Sequence, residues 1–283
     1  MRVAVTGADG FTGVYLGAEL DRAGIDWVPF PADLTVPAAL YVAVAETEFD
    51  HLVHLAGQAF AGGGDWMAFY RVNQLGTFSL LDAVAQLRPG TRCLLASTAQ
   101  VYGATESGVL DERSPVRPAN HYAISKYAME QGARLWSDRL EIGITRPFNY
   151  TGVGQSTDFL LPKIVKHFRD GSPTIELGNL DVSRDFSDVR AVVSAYRRLL
   201  EVRPVGETVN VCSGRLHSLR EVISMAEEIT GRQIEVRVNP AFVRANEVRT
   251  LCGDPSRLHS LIGDWQMPPL TETLRWMLEA DEV

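Results

Sequence analysis

The segment that most constrains this chain lies at its start. Arg2 to Thr6 is a short β-branched run. Thr6-Gly7-Ala8-Asp9-Gly10-Phe11-Thr12-Gly13 follows it and leads into a stretch of helical period, Phe11 to Ala23. Three glycines between a strand and a helix meet three separate needs. Gly7 permits a sharp turn, Gly10 lets backbone approach a pyrophosphate, and Gly13 lets the helix pack closely on the strand. The amino end of such a helix turns unpaired N–H groups and a positive dipole toward phosphate oxygens. Glycine is also the default turn residue, so the triplet takes its meaning from the strand–loop–helix setting. The spacing predicts a dinucleotide-binding turn in which Gly7, Gly10, Phe11 and Gly13 touch the cofactor.

The alternation continues. Strand-like runs at 26–30, 51–55, 91–97 and 141–145 are separated by helical patterns at 36–46, 65–87 and 121–139. Repeated βαβ units predict an α/β fold, a Rossmann-type doubly wound parallel sheet covered by helices on both faces. Residues 1–150 then form the NAD(P)-binding domain, with segments at about 181–212 returning to it. Residues 151–283 read as a smaller mixed α/β lobe over the carboxyl edge of the sheet, where ligands of open α/β folds bind. Helical patterns occur there at 158–169, 189–201, 219–230 and 270–278, with strands at 207–211 and 234–238.

Charge and cysteine usage narrow the function. With 27 basic and 35 acidic residues the net charge is −8, which argues against nucleic-acid binding by counterion release. The three cysteines, Cys93, Cys212 and Cys252, are scattered, which argues against a disulfide framework or a metal site. Cys93 and Cys212 lie in apolar runs and read as buried thiols. No signal peptide or long apolar run is visible, so the expectation is a cytoplasmic protein without membrane attachment.

Tyr122-Ala123-Ile124-Ser125-Lys126 carries the chemistry. Residues four apart on a helix share a face, and an ammonium one turn away favours a phenolate. A free tyrosine titrates near 10, so this help is expected to bring Tyr122 toward useful acid–base work. Just before it, Ala96-Ser97-Thr98-Ala99-Gln100 ends a strand; Thr98 is the candidate to orient a substrate oxygen, with Ser97 beside it. The second strand ends Trp27-Val28-Pro29-Phe30, with neither a carboxylate for a ribose 2′-hydroxyl nor an arginine for a 2′-phosphate. NAD and NADP both stay open.

The GxxGxxG loop and the Tyr-x-x-x-Lys pair together resemble the extended short-chain dehydrogenase/reductases, the NAD-dependent epimerase/dehydratase family. The resemblance implies that Asp33, Leu34, Leu55, Ala56, Gly57, Asn73 and Ser97 line the cofactor groove with Tyr122 and Lys126. Arg146-Pro147-Phe148-Asn149, Arg184-Asp185-Phe186-Ser187-Asp188-Val189 and Asn210-Val211-Cys212-Ser213-Gly214 resemble the GDP-4-keto-6-deoxy-D-mannose reductases, over about residues 2–280. Ala245 and Val153 stand where that family commonly has proline. The resemblance implies a GDP-sugar substrate met by Gln100, Asn149, Lys163, Asn179, Arg184, Arg244 and Glu247.

Gln100 aligns with the glutamate of 4,6-dehydratases. An amide cannot titrate, so simple reduction of a C4 ketone is expected rather than dehydration. Two other readings remain: an epimerase or dehydratase with tightly held NAD, and a non-catalytic nucleotide-binding regulator. The resemblance also implies a homodimer through a four-helix interface, with Trp66, Met67 and Trp136 open to either interface or core packing.

Overall fold

A computed structural model describes residues 1–59, 65–103, 108–242 and 249–281 of the chain. Six parallel strands make the main sheet, in the order Asp26–Pro29, Arg2–Thr6, His51–His54, Arg92–Ala96, Glu141–Pro147, Thr208–Val211. The chain steps from Arg2–Thr6 outward to Asp26–Pro29, then returns to His51–His54 on the other side. That reversal opens a crevice at the carboxyl ends of the first and third strands, the place where such sheets take ligands. The sixth strand comes from far along the chain and extends the sheet past Glu141–Pro147.

Central strands of this sheet are apolar on both sides because both faces are covered. Helices Pro37–Glu46, Thr77–Leu87 and His121–Ala133 cover one face, over a core that includes Leu40, Leu52, Leu81 and Met129. Helices Phe11–Arg22, Val189–Val202 and Ser256–Ile262 cover the other, over Val5, Leu16, Val192 and Tyr196. Cys93 and Cys212 lie inside as expected, and Cys252 joins them among the buried residues.

The remaining elements form a lobe with a core of its own. Helices Leu160–Arg169, Leu219–Thr230 and Leu270–Glu279 pack around Ile164, Phe168, Val222 and Leu274. Several short strands there go beyond the sequence reading. Ser183–Asp188 is the hub: it pairs in parallel with Asn149–Thr151 and Thr250–Gly253, and antiparallel with Leu216–Ser218. Each run is at most six residues and lacks a clean alternation, which is why periodicity passes over it.

The long helical pattern at 65–87 is not one uniform helix. Trp66–Ala68 begins it, Phe69–Gly76 is wound as a π-helix, and Thr77–Leu87 continues as α. The wide winding carries Asn73, a placement common at functional sites. Gly76 lets the helix touch the loop after the second strand: a Cβ there would meet the Leu34 Cβ at 2.8 Å. The helix after Asn120 also ends earlier than its apolar pattern, at Ala133, with Arg134–Trp136 tightening into a 3₁₀ turn.

Candidate active site

The glycine loop behaves as a backbone cradle. Gly7 has φ +67°, and a Cβ there would lie 2.9 Å from the Ala56 backbone. At Gly13 a Cβ would meet the Gly7 carbonyl oxygen at 2.1 Å and the Ala8 Cα at 2.6 Å. Gly10 N-caps the first helix with no side-chain hydrogen bond, so the helix amino end presents backbone alone. A groove of about 470 Å³ starts at this loop. It is lined by Gly7, Asp9, Phe30, Asp33, Leu34, Ala56, Gly57 and Gln58, among others. A closely approached loop, a bare helix terminus and a groove on the switch point fit a dinucleotide. Asp33 sits on its lip, held below the usual carboxylate range by the Thr35 N–H and hydroxyl, each donating at 2.8 Å. Leu34 is buried against the groove floor.

A buried relay ties the groove's two walls together. The Ala56 N–H donates to Thr6 Oγ1 at 3.1 Å, and Thr6 Oγ1 lies 2.8 Å from His54 Nδ1. His54 Nε2 lies 2.8 Å from Thr77 Oγ1, which itself donates to the Asn73 carbonyl at 2.9 Å. With Thr77 spending its proton on Asn73, His54 must be the Nε2–H tautomer and accept from Thr6. Burial pushes this imidazole down to about 3, with the nearby Lys126 charge adding to the effect. Asn73 in turn accepts from the Gln58 N–H at 2.7 Å and donates to the Gln58 carbonyl at 3.1 Å and to Ser125 Oγ at 3.3 Å. Gly57 is tight because a Cβ would meet Asn73 Oδ1 at 2.9 Å and Lys126 Nζ at 3.3 Å.

Tyr122 and Lys126 stand on the helix His121–Ala133. Asn120 starts this helix by accepting from the Ala123 N–H at 2.8 Å, and its amide donates to Gln100 Oε1 at 3.2 Å. Tyr122 is hydrogen-bonded to Thr98. Its ring meets Phe69 edge-on, centroids 5.8 Å apart. Lys126 Nζ donates to the Ala96 carbonyl at 2.8 Å. Here one expectation needs correcting. Burial pushes the Tyr122 phenol up to about 12; the Thr98 bond opposes this, and Tyr150 adds to it. The ammonium expected to acidify the phenol is directed to a backbone carbonyl instead, and burial pulls Lys126 itself down to about 8.

Thr98 is the N-cap of the turn Ala99–Tyr102, its side chain accepting from the Gln100 N–H at 3.2 Å. Ser97 is buried and donates to Glu130 Oε1 at 2.5 Å. Tyr150 was not anticipated: its ring stacks on Phe11 at 6.2 Å and its hydroxyl lies 2.8 Å from Thr12 Oγ1. It fastens the start of the second lobe to the glycine loop. Only a strand pairing with Ser183–Asp188, which the sequence pattern hid, puts Tyr150 there.

The predicted substrate residues are more scattered. Asn149 Nδ2 donates to the Asp185 carbonyl at 3.4 Å. Lys163 donates to the Glu176 carbonyl at 2.8 Å, with its ammonium 4.6 Å from the Phe242 ring centroid. Asn179 accepts from the Asp181 N–H at 2.9 Å, and Arg184 donates to the carbonyls of Ser183 and Arg249. Arg244 and Glu247 lie outside the described residues. Asp185, between the sequence-predicted positions, is fully buried and accepts from Ser213, Gly214 and Gly253, a structural clasp for the lobe's strands. Among the described residues no cluster of His, Cys, Asp or Glu suits a metal ion, and no helix is long and apolar enough to cross a membrane.

Comparison with known proteins now decides the kinship. Residues 27–275 match the GDP-mannose 4,6 dehydratase family. The chain belongs to that family. Among its relatives is the GDP-6-deoxy-D-talose 4-dehydrogenase of Aggregatibacter actinomycetemcomitans, 36% identical over 93% of this chain and 92% of the relative. Another is the GDP-6-deoxy-D-mannose reductase of Pseudomonas aeruginosa, 35% identical over 98% and 96%. The solved structure of RMD from Pseudomonas aeruginosa, complexed with NADPH, superposes with a TM-score of 0.89 at 33% identity, covering 98% of this chain and 97% of that one. A crystal structure from Burkholderia cenocepacia J2315, provisionally named an epimerase, reaches 0.92 at 46% identity, with 98% and 97% coverage.

Proposed function

We propose that this protein reduces the C4 ketone of GDP-4-dehydro-6-deoxy-D-mannose with NAD(P)H, giving GDP-D-rhamnose or GDP-6-deoxy-D-talose according to the ketone face presented. The carrying observation is the Thr98–Tyr122 hydrogen bond, on the helix whose Lys126 abuts Gly57 of the glycine-lined groove, with the non-titrating Gln100 two residues after Thr98. The names of the two near-full-length relatives support the same sugar class, GDP-6-deoxyhexoses, and one of them gives position 4.

Gly7, Gly10, Phe11 and Gly13 would hold the pyrophosphate; Asp33 and Leu34 the adenosine end; Leu55, Ala56, Gly57 and Asn73 the far wall. When bound there, NAD(P)H would supply the hydride taken up at C4. Thr98 positions the ketone oxygen, and Tyr122 delivers a proton to it as the alkoxide forms, so C=O becomes CH–OH. The burial that keeps Tyr122 a neutral phenol suits this direction, because the O–H form is the one that gives a proton. Thr98 then stabilises the phenoxide left behind. Lys126 would exchange the Ala96 carbonyl for the nicotinamide ribose. Lys163 and Arg184 would meet the diphosphate, and Asn149 and Asn179 the remainder of the GDP-sugar.

The test is incubation of the purified protein with the keto sugar and NADPH or NADH. Loss of absorbance at the nicotinamide band, with a 6-deoxyhexose product assigned by NMR at C4, is the expected result; no loss with either cofactor defeats the proposal. The epimerase reading draws on the Burkholderia cenocepacia structure. It requires protein that purifies with bound NAD and turns over without added cofactor.

We further propose a cytoplasmic homodimer. Leu75 is 55% exposed and Leu135 80%, on the two helices expected at the interface, with Trp66, Met67 and Ile124 also exposed. Trp136 is instead packed on Phe78 at 5.7 Å.

A further inference from the structure

The strand end Ala96-Ser97-Thr98 is held by the tyrosine helix at three consecutive residues. Tyr122 bonds Thr98, Lys126 donates to the Ala96 carbonyl, and Ser97 donates to Glu130. Tyr122, Lys126 and Glu130 are four residues apart and share one helix face. Proton transfer uses the first contact, the ribose role draws on the lysine of the second, and the third is left without a task. Glu130 is fully buried, and Arg146 Nε and Nη2 donate to its two oxygens at 3.0 and 2.6 Å. Arg146 stands on the strand Glu141–Pro147, with its guanidinium carbon 4.9 Å from the Tyr102 ring centroid. The Tyr102 hydroxyl donates to Asn210 Oδ1 at 2.7 Å, so the pair is braced from the sixth strand too. A buried ion pair is a weak stabiliser, often replaceable by apolar residues of equal volume. Its location, rather than its stability, calls for a reason.

We propose that Glu130 is a positioning residue for proton transfer: through Ser97 it fixes the strand end that presents Thr98, and from one helical turn away it keeps Lys126 an ammonium. This rests on Tyr122 as the proton donor. Among the described residues, the other groups near Lys126 supply no negative charge. The Ala96 carbonyl and the Asn73 amide are neutral, His54 is buried in its neutral form, and Tyr122 is a neutral phenol. Burial alone draws Lys126 downward; Glu130 works against it.

Lysine occurs in the sequence only at 126, 163 and 166, so lysine-labelled protein gives three side-chain NMR signals, the first assigned with Lys126→Arg. Glu130→Gln should move the Lys126 titration midpoint at least one pH unit toward acid. The alkaline limb of kcat should move with it, giving about a fivefold loss or more at pH 8 and almost none at pH 6. A merely structural role would lower activity or melting temperature and leave the limb in place. Glu130→Gln alone strands a buried guanidinium, so Glu130→Gln with Arg146→Met is the second variant, and the shift should persist in it. Ser97→Ala keeps both charges and should cost kcat about tenfold without moving the limb. An unmoved Lys126 midpoint in either folded Glu130 variant overturns the charge role; an unchanged kcat in Ser97→Ala overturns the Ser97 link. The midpoint is read without turnover. Should the parent protein fail to reduce the keto sugar, the functional reading falls and Glu130 is still tested.

Discussion

The predicted cofactor and proton-transfer region and the predicted substrate residues of the second lobe hold their polar side chains differently. Around the glycine loop and the tyrosine helix, polar groups are buried and fully engaged: Thr6, His54, Thr77, Asn73, Ser97 and Glu130 each have a fixed partner. In the second lobe, Lys163, Asn179 and Arg184 are half-buried, and their hydrogen bonds go to nearby backbone groups. The first arrangement sets atoms to within a rotamer before anything binds, which is what a proton transfer needs. The second lets a cation exchange a carbonyl for a phosphate at small cost, which is what a binding lobe needs. Substitutions in the first region should therefore act on kcat, cofactor affinity or folding, and those in the second on KM.

The largest effect should come from Tyr122→Phe. Removing the proposed proton donor is expected to lower kcat about a thousandfold while leaving NADPH affinity within threefold, read by steady-state kinetics and fluorescence titration. A kcat within tenfold of the parent's would break the contrast at its strongest point. Next is Gly13→Ala. Its methyl would press on the backbone of Gly7 and Ala8, which cannot swing aside as a flexible side chain could. The loop must shift, at a cost of about 1–3 kcal/mol, and NADPH should bind at least thirtyfold more weakly. Unchanged affinity would show that the loop does not cradle the pyrophosphate.

Across the divide, Lys163→Ala should raise KM for the GDP-sugar about tenfold and leave kcat within twofold, since its present partners are a backbone carbonyl and a ring face. A fall in kcat with KM unchanged would reverse the assignment of the two regions. The smallest effect is on stability. His54 titrates near 6.5 in the unfolded chain and at about 3 when folded, so the unfolded state takes up a proton that the native state refuses. Its contribution is complete above pH 6.5 and is lost as pH falls from there toward 3, by about 1.4 kcal/mol per unit. Denaturant unfolding of the parent and of His54→Asn between pH 7 and pH 5 checks this. The variant should show the shallower pH dependence, and equal slopes would remove His54 from the account.

Much of the first half was legible without coordinates. The glycine spacing, the strand–helix alternation and the Tyr-x-x-x-Lys pair are local patterns, and local patterns follow from the periods of helix and strand. Glu130 could have been read by carrying the same spacing one turn further, from 122 to 126 to 130. The acid–base state of Tyr122 could not. Spacing puts Lys126 on the right face, but the depth of burial and the nearby Ala96 carbonyl decide where its charge is spent. The π-winding at Phe69–Gly76 was equally hidden, because its apolar pattern is that of an ordinary helix.

What the chain's letters determined alone is therefore the parallel sheet, the glycine turn and the shared helix face of Tyr122 and Lys126, all set by local patterns. Tertiary structure decided the rest. It brought Tyr150 onto Phe11 across 139 positions of chain, linked Ser97 to Glu130 and Arg146, and selected the His54 tautomer. The reason is physical: hydrogen bonding and desolvation depend on which distant groups share a buried space, and no periodicity in the sequence encodes that company.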